Sequence, residues 1–87
     1  MNTRIALIGI IVESNESVGE LNRLLSEHSQ YIIGRMGIPY REKNISIISI
    51  AIDAPNDIIS SLSGKLGMLP ALIQKQLMQK HQFKRNL

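Results

Sequence analysis

The order in which hydrophobic patterns follow one another constrains the fold of this chain more than any other feature. Residues 5–12 are almost continuously apolar and rich in β-branched side chains, which is typical of a buried strand. After a polar turn, apolar residues recur at helical spacing between Ser17 and Ser29. Ser17 and Glu20 have the spacing of a capping box at the start of this helix. Two extended segments, residues 31–40 and 45–52, follow across a short polar loop and predict an antiparallel hairpin.

A second helix is predicted to begin around Pro55 and to end near Gly67. With one more strand, the order strand, helix, strand, strand, helix becomes a ferredoxin-like βαββαβ sandwich, an α+β fold with both helices on one face of an antiparallel sheet. Residues 71–84 are rich in Gln and Lys and favour a helix. We therefore expect a domain over residues 1–70 and an atypical basic tail over residues 71–87, with the last strand lost or replaced by a helical or disordered segment.

The length of 87 residues allows one small domain with a small hydrophobic core. Domains of this size often gain stability by self-association. The absence of cysteine excludes a disulfide framework, a thiolate nucleophile and a Cys-ligated metal held by this chain. No apolar run approaches the roughly 18 residues that a membrane span needs, and residues 1–16 lack a signal-peptide pattern. The expected compartment is the cytoplasm, without membrane contact.

The positive charge of the chain is confined to its end. Residues 1–70 carry six basic and seven acidic side chains, a net charge of −1, whereas residues 71–87 carry four basic side chains and no acid. Basic charge is the footprint of a nucleic-acid partner, so the tail leaves nucleic-acid binding as an alternative function. The body of the domain does not favour direct binding to nucleic acid.

A candidate site lies in residues 34–40. Two glycines within four residues permit a close backbone approach, and the guanidinium of Arg35 offers a two-pronged donor for a carboxylate or phosphate. Packing of a bulged edge strand against a second subunit explains the same residues equally well. The candidate residues for a ligand or a subunit interface are Gly34, Arg35, Met36, Gly37, Pro39 and Tyr40.

Other residue types with catalytic chemistry have simpler explanations. His28 on the first helix and His81 in the tail are too few to hold a transition metal, and a partly buried helix histidine is the simpler interpretation of His28. Asp53 and Asp57 could form an acid–base pair, but a cap and a favourable charge at a helix start explain them better. We therefore expect no catalytic residues, no metal and no cofactor, and a protein that is not an enzyme.

Four segments of the chain carry a family resemblance: residues 34–43, 45–50, 53–57 and 63–70. In these segments the chain resembles the small iron-only hydrogenase system regulators, which have an ACT-like ferredoxin-like fold. The resemblance implies a bacterial regulatory domain that forms a dimer or tetramer through its sheet. It also implies a small-molecule effector or a partner protein, and an effect on transcription exerted through that partner.

The resemblance also implies a second candidate site. In ACT-like domains, ligands often lie near the loop after the first strand, which corresponds to residues 12–17 here. The amides at the helix start could receive an anion there. The candidate residues of this loop are Glu13, Ser14 and Asn15.

The tail departs from the family pattern after Pro70. With AT-rich codons for residues 71–80 and one base restored after Pro70, the shifted frame reads Gly-Ile-Asn-Thr-Lys-Thr-Ala-Tyr-Ala-Lys, which has the alternation of a final strand. The hypothesis that follows is a single-base frameshift that produced residues 71–87. The alternative is a genuine variant with a basic tail.

Overall fold

The computed structural model describes residues 2–70, 72–78 and 83–84. The chain forms strands β1 (Asn2–Val12), β2 (Ile32–Tyr40), β3 (Ile45–Ala54), β4 (Leu72–Met78) and β5 (Phe83–Lys84). Its helices are α1 (Val18–Glu27) and α2 (Asn56–Gly67), and single 3-10 turns cover Asn15–Ser17, Ser29–Tyr31 and Arg41–Lys43.

The strands form one antiparallel sheet in the order β2-β3-β1-β4, and the short β5 pairs with the start of β1. This order, with α1 after β1 and α2 after β3, confirms the predicted ferredoxin-like α+β fold. The β2–β3 hairpin is also confirmed, with Tyr40 paired to Ile45 at its closed end. Ile33 is the extra residue of a bulge, since Ile32 pairs with Ile52 and Gly34 with Ala51.

The expectation for the end of the chain is wrong over residues 72–78, which form a strand rather than a helix. β1 is a central strand, and without a neighbour on this side its backbone amides and carbonyls would be unpaired along the whole edge. Pairing with β4, from Val12 opposite Leu72 to Ala6 opposite Met78, satisfies them and outweighs local helix propensity. The remaining parts of the expected tail, residues 71, 79–82 and 85–87, lie outside the described residues.

The hydrophobic core lies between one face of the sheet and the two helices. Alternate residues of β1 and β3 point into it because side chains on a strand alternate between faces, and the helices contribute residues at three- and four-residue spacing. The largest fully buried side chains are Ile8, Ile10, Leu21, Ile50, Ile52, Ile59, Leu62 and Leu66.

The predicted helix caps are wrong in their details. Ser17 precedes α1, but its hydroxyl makes no cap and instead donates a hydrogen bond to the carbonyl oxygen of Pro70. Glu20 accepts hydrogen bonds from Arg23 and does not complete a capping box. Asp53 belongs to β3, and the residue that precedes α2 is Pro55, so Asp53 does not cap this helix. Asp57 does lie in the first turn of α2, where a negative charge is favourable.

Candidate functional site

The predicted segment 34–40 forms most of β2, an edge strand whose residues alternate between the two faces of the sheet. Arg35 pairs with Ile50, which is buried under the helices, so Arg35 lies on the helical face. Met36 pairs with Ser49 and lies on the opposite face, where its side chain is 60% exposed. The strand therefore presents two different surfaces.

A cavity of about 550 Å³ opens on the helical face, where β2 meets α1, the loop after β1 and the β2–β3 turn. It brings the two predicted candidate segments together. Of the nine predicted site residues, six line it, whereas Gly34, Met36 and Gly37 do not. Those six are Arg35, Pro39, Tyr40, Glu13, Ser14 and Asn15.

The rest of the cavity lining combines an apolar floor with a polar rim that sequence reasoning missed. The floor is formed by Val12, Val18, Leu21 and Ile48, which extend from the hydrophobic core. The other described lining residues are Asn22, Arg41, Asn44, Ile45 and Ser46. A cavity of this size with a few convergent polar groups is in the usual range for small-molecule sites.

Arg35 is anchored to α1 by a neutral group. Its Nη2 donates a hydrogen bond of 3.2 Å to Oδ1 of Asn22. Arg23, on the same helix, is held differently, since its guanidinium hydrogen bonds to the carboxylates of both Glu20 and Glu27. Hydrogen bonding and charge attraction from Arg23 lower the pKa of Glu20, and Glu20 in turn raises the pKa of Arg23.

The closed end of the β2–β3 hairpin shapes the outer wall of the cavity. The Tyr40 hydroxyl donates a hydrogen bond of 3.2 Å to Oε2 of Glu42 within the turn. Asn44 has a φ of 54°, in the left-handed region, and its amide bonds to the Arg41 carbonyl oxygen at 3.1 Å. Asparagine tolerates this conformation better than most residues, so the residue type fits the turn that places Asn44 and Arg41 at the cavity.

The loop after β1 is held by two serines. Oγ of Ser14 accepts a hydrogen bond of 3.3 Å from the amide of Glu16, which fixes the turn that carries Glu13 and Asn15. Ser17 is buried and binds Pro70, so the loop is tied to the segment that leads into β4. The Ser14–Glu16 contact is local, whereas the Ser17–Pro70 contact joins residues 53 positions apart and could not be predicted from spacing.

The structure does not bring the other titratable candidates to this cavity. His28 lies at the C-terminal end of α1, 9% exposed, and its Nδ1 donates a hydrogen bond of 2.8 Å to the Leu24 carbonyl oxygen. That confirms a partly buried helix histidine. Asp53 pairs with Ile5 in the sheet, and Asp57 begins α2. Within residues 2–70, 72–78 and 83–84, no three metal-binding side chains cluster, and His81 lies outside them.

The face of the sheet opposite the helices is apolar and uncovered within the described residues. Leu7, Ile38 and Ile47 are each 39–50% exposed there, together with Met36. Small residues fill the middle of this face, where Gly9 pairs with Ser49. We call this surface the open face. It is formed by Leu7, Gly9, Ile11, Gly34, Met36, Ile38, Ile47, Ser49 and Ala51.

These features define a small ferredoxin-like domain with a lined cavity on the helical side of its sheet and an apolar surface on the other. The model of the TM1266-like family, described as "Iron-only hydrogenase system regulator, putative", matches residues 4–76. The chain belongs to this family. The match includes most of β4, whose strand structure the sequence did not predict.

Two solved structures are similar. Protein TM1266 of Thermotoga maritima is 34% identical, with a TM-score of 0.85 over 90% of this chain and 99% of that chain. A formyltetrahydrofolate deformylase from Pseudomonas putida is 13% identical, with a TM-score of 0.62 over 88% of this chain and 29% of the deformylase, and this likeness shows the fold alone. No curated protein matches the chain. Among the described residues, no helix is long and apolar enough to cross a membrane.

Proposed function

We propose that this chain is a regulatory domain of the iron-only hydrogenase system that binds a small-molecule effector in its cavity and acts as a homo-oligomer. One observation carries the proposal: a single sheet has a lined cavity on its helical face and an uncovered apolar surface on the other. The first suits a ligand and the second suits a partner copy. The family description supplies the biological setting.

Binding, rather than catalysis, is the proposed role of the cavity. The polar groups at its rim are mostly amides, hydroxyls and guanidinium groups, such as those of Asn22, Ser46 and Arg41, together with the carboxylate of Glu13. All of these can hold a ligand by hydrogen bonds. The imidazole of His28 is engaged with its own helix at the far end of α1. These groups can select and orient a molecule, which is what a sensing domain requires.

We propose a second copy of this chain as the occupant of the open face. Leu7, Ile38 and Ile47 leave large apolar side chains in water, and burying them would stabilise an assembly by about 25 cal/mol per Å². These nine residues carry no charge. The charged residues whose strand positions fall on the same side of the sheet are one acid and one base, Asp53 opposite Ile5 and Lys75 opposite Gly9. Small residues between the large ones allow two such faces to interdigitate.

An effect on transcription would then be indirect, through a protein that recognises the occupied or empty oligomer. Residues 1–70 carry a net charge of −1, which disfavours binding of phosphate backbones by the body of the domain. Binding to nucleic acid through the basic residues 71–87 remains the alternative function. A steep loss of binding between low and physiological salt would distinguish it from effector binding.

Native mass spectrometry tests the cavity directly. The full chain, purified from cells that contain an iron-only hydrogenase system, is expected to retain a small molecule in a reproducible fraction of the protein. Ser46→Phe places an aromatic ring in the cavity and should remove the additional mass, whereas Ser61→Phe, on the exposed side of α2, should leave it. Equal retention by the two variants contradicts the proposed site.

A further inference from the structure

We propose that the cavity takes an organic anion, a carboxylate or phosphate head group on a small apolar body, with Arg35 as the residue that holds the head group. This inference rests on the proposed function, because it names the class of effector for the same cavity.

The charge around the cavity is the first argument. Among the described lining residues, Arg35 and Arg41 are cationic and Glu13 is the one acid. The net charge of residues 1–70 is −1, so the positive excess at the cavity is a local arrangement and does not follow from composition. Two guanidinium groups against one carboxylate suit a ligand with a single anionic head group.

The partners of Arg35 are the second argument. A guanidinium has five N–H donors in a planar fork, and in the described part of the chain the one hydrogen-bond partner of Arg35 is the amide oxygen of Asn22. That contact orients the group toward α1 without neutralising it. Arg23, by contrast, is already engaged by two carboxylates. Arg35 therefore retains donors for the bidentate contact that carboxylates and phosphates make with arginine.

The floor of the cavity is the third argument, because it favours an apolar body behind the head group. Val12, Leu21 and Ile48 belong to the buried core and line the same cavity as Arg35. An inorganic anion would leave this apolar surface in contact with water, whereas a ligand with a hydrocarbon or aromatic body would cover it. The volume of about 550 Å³ accommodates such a molecule.

Isothermal titration calorimetry of the full chain tests this with three probes that share one body: 3-phenylpropionate, 2-phenylethyl phosphate and the neutral 3-phenylpropionamide. We expect at least one of the two anions to bind at least about tenfold more tightly than the amide, since a charge-assisted bidentate contact is stronger than a neutral one. The comparison of the two anions identifies the preferred head group.

Two arginine variants assign the contact. Arg35→Gln should weaken binding of the preferred anion about tenfold or more and leave the amide unchanged, whereas Arg23→Gln should change neither by more than about twofold. Circular dichroism melting of R35Q, whose side chain lies on an exposed edge strand, checks that the variant folds. Equal loss in R35Q and R23Q, or no binding by either anion, overturns the inference.

The cavity-filling variant separates this inference from the proposed function. If acid and amide bind equally, and Ser46→Phe abolishes both, then the cavity binds ligands and only the anionic class is wrong. If no probe binds and native mass spectrometry also finds no retained molecule, the effector-binding part of the proposed function fails with it.

Discussion

The hydroxyl of Ser17 donates a hydrogen bond to the carbonyl oxygen of Pro70, joining the loop beside the cavity to the segment that precedes β4. Ser17 is 2% exposed, so its hydroxyl is shielded from water and relies on this hydrogen bond. The contact fixes the two connections that flank β1 and β4 at the same end of the sheet.

Removal of this hydrogen bond should therefore destabilise the fold. We expect Ser17→Ala to lower the free energy of unfolding by about 1–2 kcal/mol, because it removes a bond made by a buried hydroxyl. Ser14→Ala removes a hydroxyl that is exposed and accepts a 3.3 Å bond from Glu16, so its cost should be about 0.5 kcal/mol or less. Urea unfolding of both variants measures the difference, and equal midpoints would contradict the structural role of Ser17.

Two isoleucines of the sheet provide a matched test of the core. Ile50 is fully buried between the sheet and the helices, whereas Ile33 in the β2 bulge is 62% exposed. We expect Ile50→Val to cost about 1 kcal/mol, because it removes one buried methylene and leaves a small void. Ile33→Val should change the free energy of unfolding by less than about 0.5 kcal/mol. Chemical denaturation measures both free energies of unfolding. A larger loss for Ile33→Val than for Ile50→Val would contradict the assignment of the core to the helical face of the sheet.

The Glu20–Arg23 ion pair predicts the acid dependence of stability. The folded chain lowers the pKa of Glu20 from its ordinary value of 4.5, mainly through the hydrogen bond from Arg23. The pair therefore stabilises the fold above pH 4.5, and its contribution disappears as the pH falls below that value and the carboxylate is protonated. Because both side chains are exposed, we expect a small effect.

Melting curves between pH 3 and 7 check this point. Glu20→Gln should lose its difference from the unmodified chain as the pH is lowered. In an Arg23→Gln background, where the pair is already absent, the same substitution should show little such pH dependence. A difference that grows toward acid would have the wrong sign for this ion pair.

The register of β4 predicts how its sequence affects stability. Gln74 and Gln76 pair with Ile10 and Ile8, two fully buried residues of β1. Threonine has a higher strand propensity than glutamine, and the shifted reading frame places threonine at both positions. We expect Gln74→Thr with Gln76→Thr to raise stability by about 1 kcal/mol, seen as a higher Tm. Gln30→Thr, in an exposed 3-10 turn, is the control, and an unchanged Tm in the double variant would contradict the assignment.

Local patterns were sufficient to predict the helices, the first three strands and the hairpin. The isoleucines of β3 alternate with small residues, and the leucines of α1 recur at helical spacing. Each of these elements can therefore be predicted from its own stretch of sequence. β4 could not be predicted this way. Its sequence favours a helix, and it becomes a strand because the edge of β1 would otherwise be unpaired, a requirement that lies about sixty positions earlier in the chain.

The candidate site was predicted in parts but not as a whole. Sequence reasoning identified Arg35 from the donor chemistry of its guanidinium, whereas Glu13 was a candidate only through the family resemblance. Their common cavity depends on the β2–β3–β1 order, and the hydrogen bond from Arg35 to Asn22 joins two elements that no spacing rule connects. The resemblance implied association through the sheet, but the residues of the open face were not identified, although apolar residues at alternate positions of β1 and β3 indicated them.

Self-association through the open face is the central claim, and sedimentation velocity of the full chain tests it most directly. We predict a mass that is a multiple of 9.7 kDa for the unmodified chain at micromolar concentration, and a shift to 9.7 kDa for Ile47→Lys, which places a charge in the middle of this face. Met68→Lys, at an 84% exposed position after α2, should keep the assembly. A monomer of 9.7 kDa for the unmodified chain, or equal dissociation in both variants, would contradict the account.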